Sequence, residues 1–149
     1  DLTELHLVQP FRSFQAGEAT VTPLLADHDR RETCVLYFIE KNGRSLLYGH
    51  DTGWFPTETW DWLEGHTFDA AVLDCTHGPE PAWHNHLGIE AVLAIKDIFC
   101  EKRMLRDGGR IIVTHFSHNR GASRRVGGDI SAARYYHRLR RVSLSLVNE

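Results

Sequence analysis

The segment Ile111-Ile112-Val113-Thr114-His115-Phe116-Ser117-His118 decides the fold that the sequence predicts. Its run of β-branched residues favours a strand, and the apolar character of the run predicts that the strand is buried. The strand stops abruptly on two histidines and two hydroxyl residues. It would therefore deliver imidazole groups to the end of a sheet, where functional sites usually form.

Two earlier segments repeat this design. Residues 20–25 read as a strand that runs into Asp27-His28-Asp29, and residues 44–48 read as a strand that runs into His50-Asp51-Thr52-Gly53. Imidazole and carboxylate groups are good ligands for a divalent metal of borderline softness. Three predicted strand ends thus carry candidate metal ligands, namely His28, Asp51 and His115.

The rest of the chain predicts an α/β protein. An Asn-Gly turn at 41–44 joins two strands into a hairpin, and strands then alternate with helices. The proposed elements are strands at 5–8, 18–25, 33–40, 44–48, 68–74 and 110–114, helices at 57–63 and 87–103, and a histidine-rich loop at 75–86. Asp107-Gly108-Gly109 is expected to stop the second helix before the last strand.

The order of these pieces resembles a known family. Five pieces follow one another between about residues 18 and 120, namely strand–DHD, strand–HDTGWF, strand–LDCTHG, HLG–helix and strand–THFSH. In this order they resemble the C-terminal half of the metallo-β-lactamase superfamily, and most closely the phosphodiesterase branch that includes the phosphoribosyl cyclic phosphate phosphodiesterases. The resemblance implies the C-terminal half of an αββα sandwich and a metal-dependent hydrolase acting on a small cyclic or nucleotide-like phosphate ester.

The resemblance also implies roles for individual residues. His28 and His115 would each bind one of two divalent metal ions, Zn or Mn, and Asp51 would bridge them. Asp51 and His86 would be the catalytic residues, with His86 contacting phosphate or assisting the leaving group. Asp74 and His118 would orient the ligands. Taken singly, a histidine at a strand end is more often a surface residue than a ligand, and an Asp before Thr-Gly is more often a turn former. Three such residues at successive strand ends, in the order of the superfamily, favour the metal site.

One signature of the superfamily, His-x-His-x-Asp-His, does not occur in the 149 residues. His84-Asn85-His86 matches its first three positions, but Leu87-Gly88 follows. The resemblance places the signature upstream of His28, so four of the seven implied ligands and the N-terminal half of the sandwich are expected to lie outside this sequence, which starts at Asp1 and not at Met. Two alternatives stay open: a phosphodiesterase, or a non-catalytic remnant that binds metal or a partner without turnover.

Composition places further bounds on the chain. A length of 149 residues with 42% hydrophobic and 25% charged residues fits one partial domain spanning 1–149. No apolar run reaches the roughly 18 residues of a membrane span. Three scattered cysteines, an odd number, favour free thiols in a reducing cytoplasm.

Residues 119–149 form a divergent basic tail, with seven Arg against Asp129 and Glu149. Either nucleic-acid contact or a solvated helix face would explain it, and the second is favoured. An RNA-processing nuclease would need an arm that grips its substrate, and the sequence shows none. The expected partners are a small phosphate-ester substrate and either a second copy of the chain or the missing half, which would cover an open sheet face.

Overall fold

The computed structural model describes residues 7–115 and the backbone of residues 143–146. His118 and the rest of the basic tail lie outside the described residues. The elements are β1 (Phe14–Ala16), β2 (Ala19–Leu25), β3 (Val35–Lys41), β4 (Arg44–Gly49), α1 (Thr57–Glu64), β5 (Phe68–Asp74), α2 (Ile89–Glu101), β6 (Leu105–Thr114) and β7 (Ser143–Leu146).

The strands form one mixed sheet in which they lie side by side in chain order. Strands β1 to β4 pair antiparallel, whereas β4 to β7 pair parallel. The turn between β3 and β4 has positive φ at Asn42 (51°) and Gly43 (72°), as a two-residue hairpin turn requires. The predicted α/β class, with a hairpin followed by parallel strands, is confirmed.

Leu7 and Val8, which were predicted to belong to a strand at 5–8, lie outside any strand, and one predicted boundary is also wrong. Helix α2 ends at Glu101, and Asp107-Gly108-Gly109 lies within β6 instead of stopping the helix. The pairing of β5 with β6 jumps from Phe68↔Leu105 to Ala70↔Arg110, so residues 106–109 form an irregular insertion in the strand. Gly108 has a φ of 76°, a conformation that glycine adopts without steric cost.

Both helices pack on the same face of the sheet. Phe38 of β3 contacts Trp62 of α1, and Phe68 of β5 contacts Phe99 of α2, in edge-on ring arrangements at 5.1 and 4.9 Å between centroids. Phe38 and Phe68 also contact each other, at 6.4 Å. This face forms the main core, whose other members include Leu24, Leu36, Leu47, Leu63, Ala71, Leu73, Val92, Ile95, Ile111 and Val113.

The opposite face of the sheet carries a second apolar row. Tyr37, Tyr48, Val72 and Ile112 are register partners across β3 to β6. They are half-buried or, for Tyr48, 38% exposed, and none belongs to the core under the helices. The described residues therefore form one helix layer and one sheet, which are two of the four layers of an αββα sandwich. Among these residues, neither helix has the length needed to cross a membrane.

Candidate metal centre

The candidate site lies at one edge of the sheet because four strands run in the same direction. Strand β2 is antiparallel to β3, which is antiparallel to β4, and β4, β5 and β6 are parallel. The carboxyl ends of β2, β4, β5 and β6 therefore meet at the same edge, where ligands bind in open α/β sheets. The residues at or just after these ends are His28, Asp51, Asp74 and His115.

Two of these residues have an unusual backbone. Asp51 and His115 have φ of 63° and 65°, in the left-handed region that non-glycine residues rarely occupy. Asn85, next to His86, has φ of 62°. Such conformations cost about 1–3 kcal/mol each and cluster at functional sites. The chain turns sharply after β4 and β6, and each turn brings a potential ligand to the edge of the sheet.

Four side chains form a compact cluster of donor atoms. Asp51 Oδ1 lies 3.4 Å from His115 Nδ1 and 3.4 Å from His86 Nδ1. Asp74 Oδ2 lies 3.3 Å from His115 Nδ1 and 2.9 Å from His86 Nδ1. All four residues offer ligand atoms within 4.8 Å of one another, as a metal site requires.

His28 approaches the cluster from β2, with Nε2 at 3.7 Å from Asp51 Oδ2. Its Nδ1 lies 3.1 Å from the carbonyl oxygen of Asn85. An Nδ1–H donated to this carbonyl leaves Nε2 free to act as a ligand, the usual way in which an outer hydrogen bond orients a metal-binding histidine. Asp51 thus presents its two oxygens to two different histidines, His28 and His115.

Asp74 is fully buried and anchors the loop that follows β5. Its carboxylate accepts hydrogen bonds from the Thr76 amide (2.9 Å), the Leu87 amide (3.1 Å) and the Thr76 hydroxyl (3.1 Å). It also pairs with His86 Nδ1. A buried carboxylate is tolerated only when it is paired and hydrogen-bonded in this way. Asp74 therefore fixes both the loop 75–88 and the imidazole of His86.

Other histidines of the region are not in the cluster. His50 stacks on His115, with ring centroids 4.6 Å apart and planes within 5°, and so restrains the plane of that imidazole. His84 is 75% exposed and pairs with Asp27 at 3.0 Å. Of the string His84-Asn85-His86, only His86 thus joins the donor cluster.

The cluster fits a divalent cation. Asp51 Oδ1 and His115 Nδ1 are buried and have no hydrogen-bond partner among the described residues. Buried polar atoms are nearly always satisfied, so these two unsatisfied atoms, 3.4 Å apart, are suited to share a ligand. Carboxylate oxygen and imidazole nitrogen are the donors that Zn²⁺ and related ions accept.

Some residues of the site were expected from the sequence and others were not. His28, Asp51 and His115 lie together at the sheet edge, as expected from their strand ends. Asp74 was expected only to orient the site, yet it lies within the donor cluster. Thr76 was missed, although its hydroxyl contacts both Asp74 and His86, at 3.1 and 3.3 Å. An Asp carboxylate that accepts from the backbone amide two residues on is a known local pattern, seen here from the Thr76 amide to Asp74, and could have directed attention to residue 76.

Gly53 allows the loop 75–88 to close over the site. A Cβ at this position would lie 2.7 Å from the Asn85 amide nitrogen and 2.8 Å from His84 Cα. We expect Gly53→Ala to lower the free energy of unfolding by about 1–3 kcal/mol, because backbone atoms cannot yield as side chains do. Urea unfolding measures it. Gly65→Ala is the matched control, because a Cβ at that position would meet only the Trp62 carbonyl oxygen, at 3.7 Å. Equal urea midpoints of unfolding for the two variants would show that Gly53 is not needed for the loop 75–88 to close.

Cys75, between Asp74 and Thr76, should be chemically inert. Burial, aided by the neighbouring Asp74 carboxylate, raises the pKa of the Cys75 thiol to about 12. The thiolate is the reactive form, so at pH 8 its alkylation should be about a thousandfold slower than that of an ordinary thiol. Exposed Cys100 should react rapidly. Iodoacetamide labelling followed by peptide mass spectrometry tests this, and comparable rates for Cys75 and Cys100 in the folded chain would refute it.

The fold and this cluster define the class of the protein: a mixed α/β domain of the metallo-β-lactamase type. Residues 1–116 match the family described as the Beta-lactamase superfamily domain, and the chain belongs to that family. No curated protein sequence matches the chain.

Three solved structures share the fold. The metallo-β-lactamase fold protein YhfI from Bacillus subtilis has 16% identity and a TM-score of 0.63, over 95% of this chain and 52% of its own. Zn²⁺-bound PqqB from Methylobacterium extorquens has 14% identity and a TM-score of 0.62, over 95% and 52%. A diphosphatase of the PhnP family has 20% identity and a TM-score of 0.53, over 77% and 39%. The chain thus spans about half the length of these proteins or less.

Proposed function

We propose that the whole protein is a metal-dependent phosphodiesterase that hydrolyses a small cyclic or nucleotide-like phosphate ester. The observation that carries the proposal is the position of Asp51 between His28 and His115, at 3.7 and 3.4 Å. A carboxylate that offers one oxygen to each of two imidazoles suits a ligand shared by two cations. His28, Asp51 and His115 would hold the two ions, Zn or Mn, together with ligands from the rest of the protein.

When bound, a pair of divalent ions supplies a nucleophilic water at neutral pH and offsets the charge that develops on the phosphate oxygens. The chain's own residues fix the geometry around it. His50 restrains the ring of His115 by stacking, and the Asn85 carbonyl restrains the ring of His28. Both imidazoles are therefore held in place before a ligand arrives, which lowers the entropic cost of binding.

His86 is the proposed proton donor to the leaving group. Its Nδ1–H donates to the buried Asp74 carboxylate at 2.9 Å, which leaves Nε2 to carry the transferable proton. A carboxylate that orients an imidazole and stabilises its charged form is a recurring arrangement in general acid–base catalysis. A protonatable imidazole is suited to proton transfer near neutral pH.

The substrate class rests on the sequence resemblance to the phosphodiesterase branch and on the chemistry of the donor set. The PhnP-family diphosphatase shares the fold at 20% identity, and this likeness agrees with a phosphate ester without identifying it. Two cations and a protonatable imidazole around one position would neutralise an anionic phosphodiester.

The open face of the sheet also requires a partner. Tyr37, Tyr48, Val72 and Ile112 form its apolar row, and the chain spans 52% of the YhfI protein. We propose that the remaining half of the sandwich covers this row, or a second copy of the chain when that half is absent. In analytical ultracentrifugation at low micromolar concentration we expect dimers or larger species of the chain alone; a well-folded, monodisperse monomer would contradict the proposal.

The proposed location is a reducing compartment such as the cytoplasm. Cys34, Cys75 and Cys100 are all free, which suits such an environment. Alkylation of protein freshly released from cells, followed by intact-mass measurement, tests this, because a recovered disulfide would contradict it.

A second candidate is a remnant that binds metal or a partner without turnover. The observation in its favour is that His-x-His-x-Asp-His does not occur in the 149 residues. The upstream reading frame distinguishes the two candidates, because the phosphodiesterase needs this signature or equivalent ligands there.

The direct test is an assay of the whole protein. The protein is stripped with a chelator, reloaded with Mn²⁺ or Zn²⁺, and assayed on bis-p-nitrophenyl phosphate and on a cyclic phosphodiester. We expect hydrolysis that depends on added metal and is lost on renewed chelation. A folded protein that binds two equivalents of metal and hydrolyses neither ester would favour the remnant.

A further inference from the structure

We infer that this chain by itself binds one divalent cation, Zn²⁺ foremost, in a closed four-coordinate site made by Asp51, Asp74, His86 and His115. The inference rests on the metal-binding part of the proposed function and is independent of the substrate. It departs from the ligand set implied by the family, because Asp74 and His86 become donors and His28 does not.

Four of the six separations between the donor atoms are close to the edge length of a four-coordinate zinc site, and all six are within 4.8 Å. With metal–ligand bonds of about 2.0–2.2 Å, the donors of a tetrahedral zinc site lie roughly 3.3–3.6 Å apart. Four of the six edges here measure 3.4 Å (Asp51–His86), 3.4 Å (Asp51–His115), 3.3 Å (Asp74–His115) and 2.9 Å (Asp74–His86). The short edge is the hydrogen bond from His86 Nδ1 to Asp74, and it would lengthen by a few tenths of an ångström as Nδ1 loses its proton and Nε2 carries one instead, so that the ring stays neutral.

The charges and the hydrogen bonds also favour one ion. Two carboxylates balance a divalent cation, and two neutral imidazoles complete a site with no net charge, which lowers the cost of burying it. Asp51 Oδ1 and His115 Nδ1 have no hydrogen-bond partner among the described residues, so these two donors lose no existing hydrogen bond when they bind. Asp74 keeps the Thr76 and Leu87 amide hydrogen bonds on Oδ1.

A closed site has a functional consequence. Structural zinc sites use four protein ligands, whereas catalytic sites keep one position for water or substrate. The ion held by this chain alone would therefore be inert toward esters. In the whole protein, ligands from the other half would compete for the cation and return His86 to its hydrogen bond with Asp74. The same four residues would thus hold a cation in the separate chain and serve catalysis in the assembled site.

Titration of the folded, metal-free chain tests the inference. Isothermal titration calorimetry with Zn²⁺ should give one equivalent per chain, and Co²⁺ should give the intense visible absorption of a tetrahedral ion. Asp74→Asn and His86→Ala should each weaken binding by more than the roughly tenfold to hundredfold that the loss of an outer hydrogen-bond partner costs, and should reduce the Co²⁺ absorption. His28→Ala should change the affinity by less than about threefold, and His84→Ala is the matched control for a histidine outside the cluster.

Each other outcome overturns the inference in a distinct way. Binding lost in His28→Ala but retained in Asp74→Asn and His86→Ala would establish the family ligand set, leaving the proposed function intact. A weakly absorbing, six-coordinate Co²⁺ complex would exclude the closed site. A folded chain that binds no cation, when the whole protein does, would refute the inference alone, whereas no binding by either would refute both proposals. If Asp74→Asn fails to fold by circular dichroism, His86→Ala and the Co²⁺ spectrum decide.

Discussion

We expect that replacing Asp51 by Ala in the whole protein lowers kcat for the proposed phosphodiester hydrolysis by ~10³-fold or more, because Asp51 is the carboxylate proposed to be shared by the two cations. Its two oxygens face His28 and His115, at 3.7 and 3.4 Å. Removing it takes away the carboxylate that faces both imidazoles and offsets the charge of the cations, and even an outer-sphere partner of a metal ligand typically contributes about 10–100-fold.

Asp51→Asn refines this experiment because it keeps the shape of the side chain and removes its charge. We expect this variant to lose nearly as much activity and at least one equivalent of metal, measured by elemental analysis after gel filtration. His84→Ala is the control, because this exposed histidine pairs with Asp27 and lies outside the donor cluster. Full activity in either Asp51 variant would remove Asp51 from the mechanism.

The second large effect concerns the separated chain. Residues 1–149 alone should hydrolyse bis-p-nitrophenyl phosphate at or near the background rate, even with added Mn²⁺ or Zn²⁺. The described residues can supply a closed site for one cation or part of a site for two, but not an open two-metal centre. The whole protein under the same conditions should exceed this rate by ~10³-fold or more, the scale that metal-assisted catalysis contributes.

Circular dichroism and metal content establish that the separated chain is folded and loaded in that comparison. Turnover by the chain that is robust and abolished by Asp51→Ala would show that the site is complete without further ligands. The reading of the chain as part of a larger site would then be wrong.

The sheet edge of this protein was predictable because its determinants are local. The β-branched run 111–114 and the strands at 19–25 and 44–49 each end on a polar ligand, and an Asn-Gly turn fixes the hairpin at 41–44. Because β2, β4 and β6 run in one direction, their ends lie along the same edge of the sheet. The topology therefore places His28, Asp51 and His115 along that edge, and the turns after the strands bring the side chains together.

The inner part of the site was less predictable because it depends on contacts distant in the sequence. His86 reaches Asp74 and Asp51 only because the loop 75–88 folds back over Gly53, and a residue with no side chain is needed there. The string His84-Asn85-His86 alone does not distinguish its exposed first histidine from its half-buried last one, and only the resemblance of the HLG–helix segment singled out His86. The start of β6 was misplaced for a related reason: pairing with β5 overrides the helix-ending character of Gly108-Gly109.

Anomalous diffraction at the zinc edge, from crystals of the chain grown with one equivalent of Zn²⁺, tests the central claim most directly. The claim is that Asp51 and His115 face a metal ion at the end of the sheet. We predict one strong anomalous peak about 2.0–2.2 Å from Asp51 Oδ1 and His115 Nδ1. A fully occupied peak elsewhere on the protein, with Asp51 and His115 unliganded, would contradict it.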